Sequence, residues 1–412
     1  MLGQSYQMNR RAEKDPLTGV EVLRLTDNRG FYDRPYFTSP QFSADGRYTI
    51  FVSDFAGTSV IRNPDAPAIG KVGFGELFLL DMESGKAVQL TEGEAIKMGH
   101  GAHAMLRPDG CKAYYYSNEW LKEVDCETLE TRTLMRIPYQ YNFHSLSAGK
   151  NPRYIAFSVV EEFPLLTACF TKPGSKETPG SRERYFGEPR SFVLRYDLER
   201  EKAEVVTGGH VRLTHVSICP EDADLLLYCH DGPWYQVQRM WRANMREDSV
   251  SPLIEQQKGL EGVGHEFFTP SGRVGAQYSY RYRLDMPFFL FADLFVNLNG
   301  SEQERFYYPY KRAKHVSVGP DESLGVGDVA AMTADMKDAE RYLSLIHYNK
   351  ETHRAEVSVL CAHDASGSKE AHVHPVFTPD GRHIVFSSDK EGKLNIYRVE
   401  VQPEKAAWQL KK

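Results

Sequence analysis

Three histidines in the C-terminal part of the chain have the types and spacing of a metal site. His372 and His374 are two positions apart, and His315 occupies the matching place one repeat earlier. Residues i and i+2 of a strand point to one face, so His372 and His374 can face the same side. Three neutral imidazoles in this arrangement can bind a divalent transition metal such as Mn, Zn, Fe or Ni, and ligand type alone does not choose among them. The alternative is a hydrogen-bonded polar pair without a metal.

These histidines belong to a repeated pattern. In each repeat, one position lies five residues before a proline or its equivalent, and the chain then turns and continues as an alternating apolar run. Seven repeats can be counted, and six carry a histidine at this position, namely His103, His144, His215, His265, His315 and His374. Ser39 takes the place in the first repeat. We predict that the six imidazoles converge, while the alternative for any one is a half-buried histidine bonded to the neighbouring repeat.

The repeats predict the fold. Repeats of roughly 40–70 residues with about four short strands each are typical of a β-propeller, so we expect an all-β, seven-bladed propeller. The turns FTPDG and FSADG also resemble those of TolB-type propellers. Val20–Leu25 alternates like a strand outside any repeat, and we expect it to close the last blade. The predicted organisation is an arm over 1–19, one propeller over 20–402 and a tail over 403–412.

Composition excludes several classes of function. The net charge of −6 lacks the basic excess of a nucleic-acid-binding protein, although local cations can still bind an anionic substrate. The N-terminus has no apolar signal region and no stretch is long enough to span a membrane, so we expect a soluble cytoplasmic protein. The six cysteines are scattered without a CxxC motif, which favours free thiols.

Several further residues could take part in chemistry beside the histidine ring. His265 is one repeat away from His315, and a neutral histidine there could accept a proton. Arg239 could bind a carboxylate through its planar fork of donors, and a surface salt bridge is its alternative. Asp328 and Asp231 could orient histidines. The insertion at 162–189 is rich in Lys and Arg and could attract a polyanionic sugar, or it is a solvated loop.

At these residues the chain resembles the oligogalacturonate lyase family, metal-dependent seven-bladed propellers of pectin breakdown. The resemblance spans most of the chain, and its most specific segments are Arg239–Trp241, His265–Phe267, Lys314–Asp328 and the HVHPVFTPDG stretch from His372, with Arg34–Phe55 near the N-terminus. It implies that His315, His372 and His374 hold the metal, usually Mn²⁺. It also implies that His265 is the base and Arg239 its partner at the substrate.

The implied reaction is a β-elimination on short galacturonate oligosaccharides. The base removes the C5 proton, the oxygen on C4 leaves, and the product is a 4,5-unsaturated uronate. We assign Arg34, His103, His144, His215 and Lys369 to substrate binding, and we expect no nucleic-acid or membrane partner. The alternative function is a non-catalytic TolB-like propeller that binds protein or glycan.

One position departs from the family's pattern. The family's fourth protein ligand is a glutamine three places before the first histidine of the HxH pair, and here that place is Lys369. An ammonium group is a poor ligand and repels a cation. Glu370 or water is therefore the candidate for the fourth position, and a differently linked uronide is an alternative substrate.

Overall fold

The structure, a computed structural model, describes residues 1–55, 73–161, 187–328, 339–368 and 371–406. Lys369 and most of the insertion at 162–189 lie outside the described residues. Within those residues the secondary structure is β-strand, apart from one short 3₁₀-helix at Ala339–Arg341, which confirms the all-β prediction. No helix in the described stretches has the length and apolar character that crossing a bilayer requires.

The strands follow the repeats along the chain. Three N-terminal strands come first: β1 (Ser5–Gln7), β2 (Arg11–Lys14) and β3 (Glu21–Arg24). The described strands after them fall into successive antiparallel series in which each strand pairs with the next. Series 1 contains β4 (Tyr32–Asp33), β5 (Tyr48–Ser53), β6 (Phe74–Asp81) and β7 (Lys86–Gln89). The short β8 (Ile96–Lys97) links it to series 2, which contains β9 (Ala104–Leu106), β10 (Lys112–Ser117), β11 (Trp120–Asp125) and β12 (Thr131–Arg136).

The remaining series repeat this arrangement. Series 3 contains β13 (Tyr141–Ala148), β14 (Tyr154–Glu161), β15 (Ser191–Asp197) and β16 (Lys202–Gly209). Series 4 contains β17 (Leu213–Cys219), β18 (Asp222–His230), β19 (Met240–Asn244) and β20 (Ser249–Pro252). Series 5 contains β21 (Glu261–Phe268), β22 (Val274–Tyr280), β23 (Leu290–Val296) and β24 (Glu304–Tyr307). Series 6 contains β25 (Val316–Val318), β26 (Leu324–Asp328), β27 (Tyr342–Asn349) and β28 (Arg354–Ala362), and series 7 contains β29 (Val376–Phe377), β30 (His383–Ser388) and β31 (Asn395–Glu400).

The N-terminal strands complete sheets that later parts of the chain begin. Strand β3 pairs antiparallel with β31, in the register Leu23 opposite Arg398, so the expected pairing of the N-terminal strand with the last repeat is confirmed. Strand β2 then pairs with β3, and β1 pairs with β7 of series 1. The arm at 1–19 therefore bonds to both the first and the last series.

Tight turns end the first strands in a common way. Gly46, Gly110 and Gly381 have φ values of 71°, 75° and 71°, a left-handed conformation that glycine adopts without steric cost. The aspartate before each glycine accepts a hydrogen bond at Oδ1 from the backbone N–H two residues on, at 3.0–3.1 Å. In series 1, 2 and 7 this shared turn therefore fixes where the second strand begins.

The apolar core lies between consecutive series. Tyr114 and Leu121 of series 2 share one cluster with Phe143 and Phe157 of series 3, and similar clusters join the other neighbours. The first strands consequently lie side by side, with β9 beside β13, β13 beside β17, β17 beside β21 and β25 beside β29. Positions that are equivalent in the sequence therefore come close together in space.

Candidate active site

The predicted histidines stand at or just before the first strand of each series. His144, His215 and His265 lie within β13, β17 and β21, His103 and His315 immediately precede β9 and β25, and His374 lies two residues before β29. Because the first strands are neighbours, their histidine ends meet at one end of the molecule.

Three of these imidazoles and that of His372 form a connected group. The ring centroid of His315 lies 4.7 Å from that of His265, 4.5 Å from that of His374 and 5.3 Å from that of His372. The rings of His372 and His374 are 5.2 Å apart. The structure thus brings the three predicted ligands and the predicted base into one cluster built from series 5, 6 and 7.

His315 is oriented by a buried carboxylate. Its Nδ1 lies 2.7 Å from Asp328 Oδ2, and its backbone N–H donates to Asp328 Oδ1 at 2.7 Å. Burial opposes the ionised form of Asp328, but its interactions with His315 outweigh that effect and hold the pKa of Asp328 below its ordinary 3.8. A carboxylate that accepts the proton on Nδ1 leaves the lone pair on Nε2 available, which is the usual support for a metal-binding histidine.

His265 has a different partner. Its Nδ1 lies 2.9 Å from Gln277 Oε1 on the adjacent strand β22, and Gln277 Nε2 donates to the carbonyl oxygen of Ala313. The second bond fixes the amide so that its oxygen faces the ring, which places the proton on Nδ1 and the lone pair on Nε2. Burial, and to a lesser extent His315, lower the pKa of His265 well below its ordinary 6.5, so the ring stays neutral near pH 7.

The backbone is strained where these side chains leave it. His215, His265 and His374 have φ values of 54°, 49° and 44°, in the left-handed region. This conformation costs roughly 1–2 kcal/mol for a residue with a Cβ. In β17 and β21 it coincides with a shift of register against the next strand, which turns the histidine out of the regular alternation.

A histidine that the repeat pattern missed joins the cluster. The ring of His100 lies 4.3 Å from that of His372 and 5.6 Å from that of His374. The possible ligand atoms of these three residues all lie within 4.8 Å of one another. His100 stands three residues before the repeat-equivalent His103, so counting from the proline could not find it. Its signal in the sequence is the Gly99-His100-Gly101 triplet, since glycines flank loops with unusual backbone angles.

A polar cleft of about 320 Å³ opens beside His100. Three histidines that were assigned to substrate binding, His103, His144 and His215, line it together with Lys97 and Arg212. Arg212 Nε donates to Asp231 at 2.8 Å, and its Nη2 lies 3.5 Å from Nε2 of His144. The cleft therefore combines Lys97, the Arg212–Asp231 ion pair and neutral imidazoles next to the histidine cluster.

Arg239 lies beneath this end of the molecule instead of projecting from it. The residue is 1% exposed, and its guanidinium donates to Glu266 at 2.9 Å and to Asp231 at 3.3 Å. Glu266 directly follows His265 and also lies 3.5 Å from His215 Nδ1. The arginine thus ties together the segments that carry both histidines.

Arg34 is buried as well. Its guanidinium donates to Gln41 Oε1 at 2.7 Å and to the carbonyl oxygen of His374 at 2.8 Å. Tyr36 lies two residues after Arg34. Its ring centroid is 5.7, 5.5 and 4.8 Å from those of His100, His215 and His374. The segment between β4 and β5 therefore fixes the backbone and one ring face of His374.

Comparisons with known proteins identify the family of this chain. A family model described as oligogalacturonate lyase matches residues 2–405. An oligogalacturonate lyase of Dickeya dadantii is 27% identical over 423 residues, which cover 99% of both chains. The crystal structure of oligogalacturonate lyase from Vibrio parahaemolyticus superposes with a TM-score of 0.79 at 25% identity, covering 98% of this chain and 100% of that one. A solved oligogalacturonate lyase in complex with manganese has the same fold, with a TM-score of 0.78, 23% identity and coverage of 99% and 100%. The chain belongs to the oligogalacturonate lyase family.

Proposed function

We propose that this protein is a polysaccharide lyase that cleaves short galacturonate oligosaccharides by metal-assisted β-elimination and releases 4,5-unsaturated uronates. The observation that carries the proposal is the meeting of His265, His315, His372 and His374, from three series of strands, in a member of this family. This elimination needs a proton acceptor close to a bound cation, and the ring of His265 is in contact with that of His315.

His265 is the proposed base. Gln277 keeps the proton on Nδ1, so Nε2 can accept the C5 proton of the bound uronate. The electron pair of the C5–H bond then forms the C4–C5 double bond, and the glycosidic oxygen leaves C4. No water is consumed, so a hydrolytic pair of carboxylates is not required.

His315, His372 and His374 are the proposed holders of a divalent cation, with Mn²⁺ the first candidate. The residues fit such an ion, because Nε2 of buried His374 has no hydrogen-bond partner and Asp328 leaves Nε2 of His315 free. When bound, the ion supplies Lewis-acid stabilisation of negative charge on the substrate carboxylate.

The polar cleft is the proposed seat of the neighbouring sugar units. His103, His144 and His215 can bond to sugar hydroxyls. Lys97 and Arg212 can attract uronate carboxylates, and Asp231, which also lines the cleft, is the ion-pair partner of Arg212. Lys369, which was also assigned to the substrate, lies outside the described residues and keeps that assignment only as a sequence prediction.

Arg239 and Arg34 are better explained as positioning residues. Each is almost fully buried, and each uses its guanidinium on groups of the protein that lie next to a cluster histidine. Arg239 holds Glu266 beside His265, and Arg34 holds the backbone of His374. Their charges act on the site through these neighbours.

For the architecture, we propose a seven-bladed propeller over 20–402, with the arm at 1–19 and the tail at 403–412. The supporting observations are the side-by-side first strands and the pairing of β3 with β31, which joins the two ends of the chain. A cytoplasmic location remains a prediction from the sequence.

The test is to incubate the purified protein with di- and trigalacturonate and to follow the ultraviolet absorbance of the conjugated unsaturated acid. We expect absorbance to rise, to stop after chelation with EDTA and to return when Mn²⁺ is added. If a panel of saturated uronides gave no rise in absorbance at any metal concentration, the proposal would be overturned and a binding protein would be favoured instead.

A further inference from the structure

His100 approaches the HxH pair from the side opposite to His315. Its ring contacts His372 and His374, and His315 contacts the same two rings, but no ring contact joins His100 to His315 in the described residues. His372 and His374 therefore lie between two other imidazoles, one from series 6 and one from the loop that enters series 2.

The separations of His100, His372 and His374 suit coordination of one ion, and the ligand atoms of His315 are not part of this group. Nitrogen ligands about 2.0–2.1 Å from a cation lie at most about 4.2 Å apart. The possible ligand atoms of His100, His372 and His374 are already within 4.8 Å of one another, so shifts of a few tenths of an ångström complete the geometry. Rotamer and ring adjustments of this size are small for His100, which is exposed at the cleft.

The loop that carries His100 is built to hold it there. Gly99, His100 and Gly101 have φ values of 95°, 63° and 102°, so three consecutive residues are left-handed. The N–H of Gly99 donates to Asp33 Oδ2 at 2.7 Å, and a Cβ on Gly101 would meet Tyr36 at 2.9 Å. A bulkier residue at 101 would push the loop away from Tyr36 and from the histidine pair. A strained and closely packed loop is retained where a function depends on its shape.

We propose that His100 is a further protein ligand, which binds the cation together with His372 and His374. The inference rests on the proposed metal-dependent function and adds to it a ligand from a distant part of the chain. An imidazole donor from His100 favours borderline transition metals more than an oxygen donor in its place would. The site should therefore bind Co²⁺ and Ni²⁺ more tightly than Mn²⁺, and His100 should account for part of that preference.

The experiment measures metal binding directly. Metal-free protein, prepared by chelation and dialysis, is titrated with Co²⁺ and Mn²⁺ in a calorimeter, and the visible spectrum of the Co²⁺ form is recorded. In His100→Gln we expect the Co²⁺ affinity to fall by at least about 10–100-fold, which is the loss typical when a residue that hydrogen-bonds to a metal ligand is removed. The Mn²⁺ affinity should fall less, because the glutamine amide supplies an oxygen that Mn²⁺ accepts. The Co²⁺ spectrum should change, since one nitrogen ligand is replaced.

Two further variants test whether misfolding or a non-specific effect, instead of the loss of a ligand, explains weaker metal binding. His100→Gly suits the left-handed backbone, so it removes the imidazole without straining the loop, and it should weaken Co²⁺ binding as strongly. His103→Gln is the matched control, because His103 lines the same cleft but lies outside the group of ligand atoms. Its Co²⁺ affinity and spectrum should equal those of the wild type.

The outcomes separate this inference from the proposed function. Unchanged Co²⁺ affinity and spectrum in both His100 variants, with weak binding in His372→Gln, would overturn the role of His100 and leave the metal-dependent lyase intact. Unchanged metal binding in His315→Gln, His372→Gln and His374→Gln would overturn the metal site as a whole.

Discussion

The two ends of the first strands differ in backbone, polarity and packing. At one end stand His215, His265 and His374, with left-handed φ values and with buried polar atoms that lack a hydrogen-bond partner, such as His215 Nδ1 and His374 Nε2. At the other end, a few residues along the same strands, lies a cavity of about 510 Å³ lined mainly by apolar side chains and turn residues, among them Ile218 and Val318. The histidine end and the cavity end thus belong to the same strands but have opposite properties.

This contrast indicates which end is kept for stability and which for chemistry. Left-handed backbone and unpaired buried polar atoms destabilise a fold, and they persist where a function uses them. Regular strands and apolar contacts do the opposite. Substitutions at the histidine end should therefore lower activity with little effect on stability, and substitutions at the cavity end should lower stability with little effect on activity.

The largest expected effect is the loss of the base. His265→Ala removes the group that we propose accepts the C5 proton, and general-base catalysis contributes about 10²–10⁴-fold, so kcat should fall by about 10³-fold. The metal content, measured by elemental analysis, should stay at the wild-type level, because His265 is assigned to proton transfer. His347→Ala, an exposed histidine on β27, is the control and should keep full activity. Loss of metal from His265→Ala would show that His265 is a ligand.

At the cavity end, Ile218→Ala is expected to act on stability alone. Ile218 is 2% exposed and packs between series 3 and 4. Truncating a buried isoleucine costs about 2–5 kcal/mol of unfolding free energy, which a denaturant titration can measure. The kcat of the folded enzyme at 25 °C should remain within about twofold of wild type. A large fall in kcat at unchanged stability would remove the distinction between the two ends.

Asp328 tests whether the histidine end depends on its supporting carboxylate. Asp328→Asn keeps the size of the side chain but weakens its hold on the Nδ1 proton of His315, so metal affinity should fall by about 10–100-fold. The measurement is a calorimetric titration of metal-free protein with Mn²⁺. Asp321→Asn, in the exposed turn of the same hairpin, is the control and should bind Mn²⁺ like wild type. Equal affinities in the two variants would mean that His315 needs no orientation by Asp328.

The turns at the cavity end and the six repeat-equivalent histidines could be predicted because both are set by local sequence. A Pro-Asp-Gly turn or a relative of it follows each first strand, and a fixed count back from it finds His265, His315 and His374. The HxH spacing adds His372. The all-β class and the pairing of the N-terminal strand followed from the same repeats and are confirmed.

The residues that sequence reasoning missed depend on contacts between distant segments. His100 lies three residues out of register with the repeats, and only the packing of its loop on Tyr36 brings it to His372. Gln277 is opposite Gly264 on the neighbouring strand, so its place depends on a register that the bulge at His265 alters. The burial of Arg239 could not be predicted from the sequence either, because its two carboxylate partners, Asp231 and Glu266, come from different strands and loops.

The smallest effect expected at the histidine end concerns Gln277, and it appears in the pH profile. In the wild type the pKa of His265 lies well below 6.5, so kcat/KM should be level from pH 6.5 upwards as far as the base is concerned. Gln277→Glu places a carboxylate at Nδ1 and raises the pKa of His265. The kcat/KM of this variant should fall as pH falls through that raised value, and the loss should begin at a higher pH than in wild type.

Gln277→Leu removes the acceptor without adding charge. It should lower kcat by about tenfold, because part of the population then holds its proton on Nε2, and it should not shift the profile towards higher pH. If both variants kept the wild-type pH profile and kcat, a group other than Gln277 would place the proton on His265. The hydrogen bond between Gln277 and His265 would then contribute to stability, as the contacts at the cavity end do.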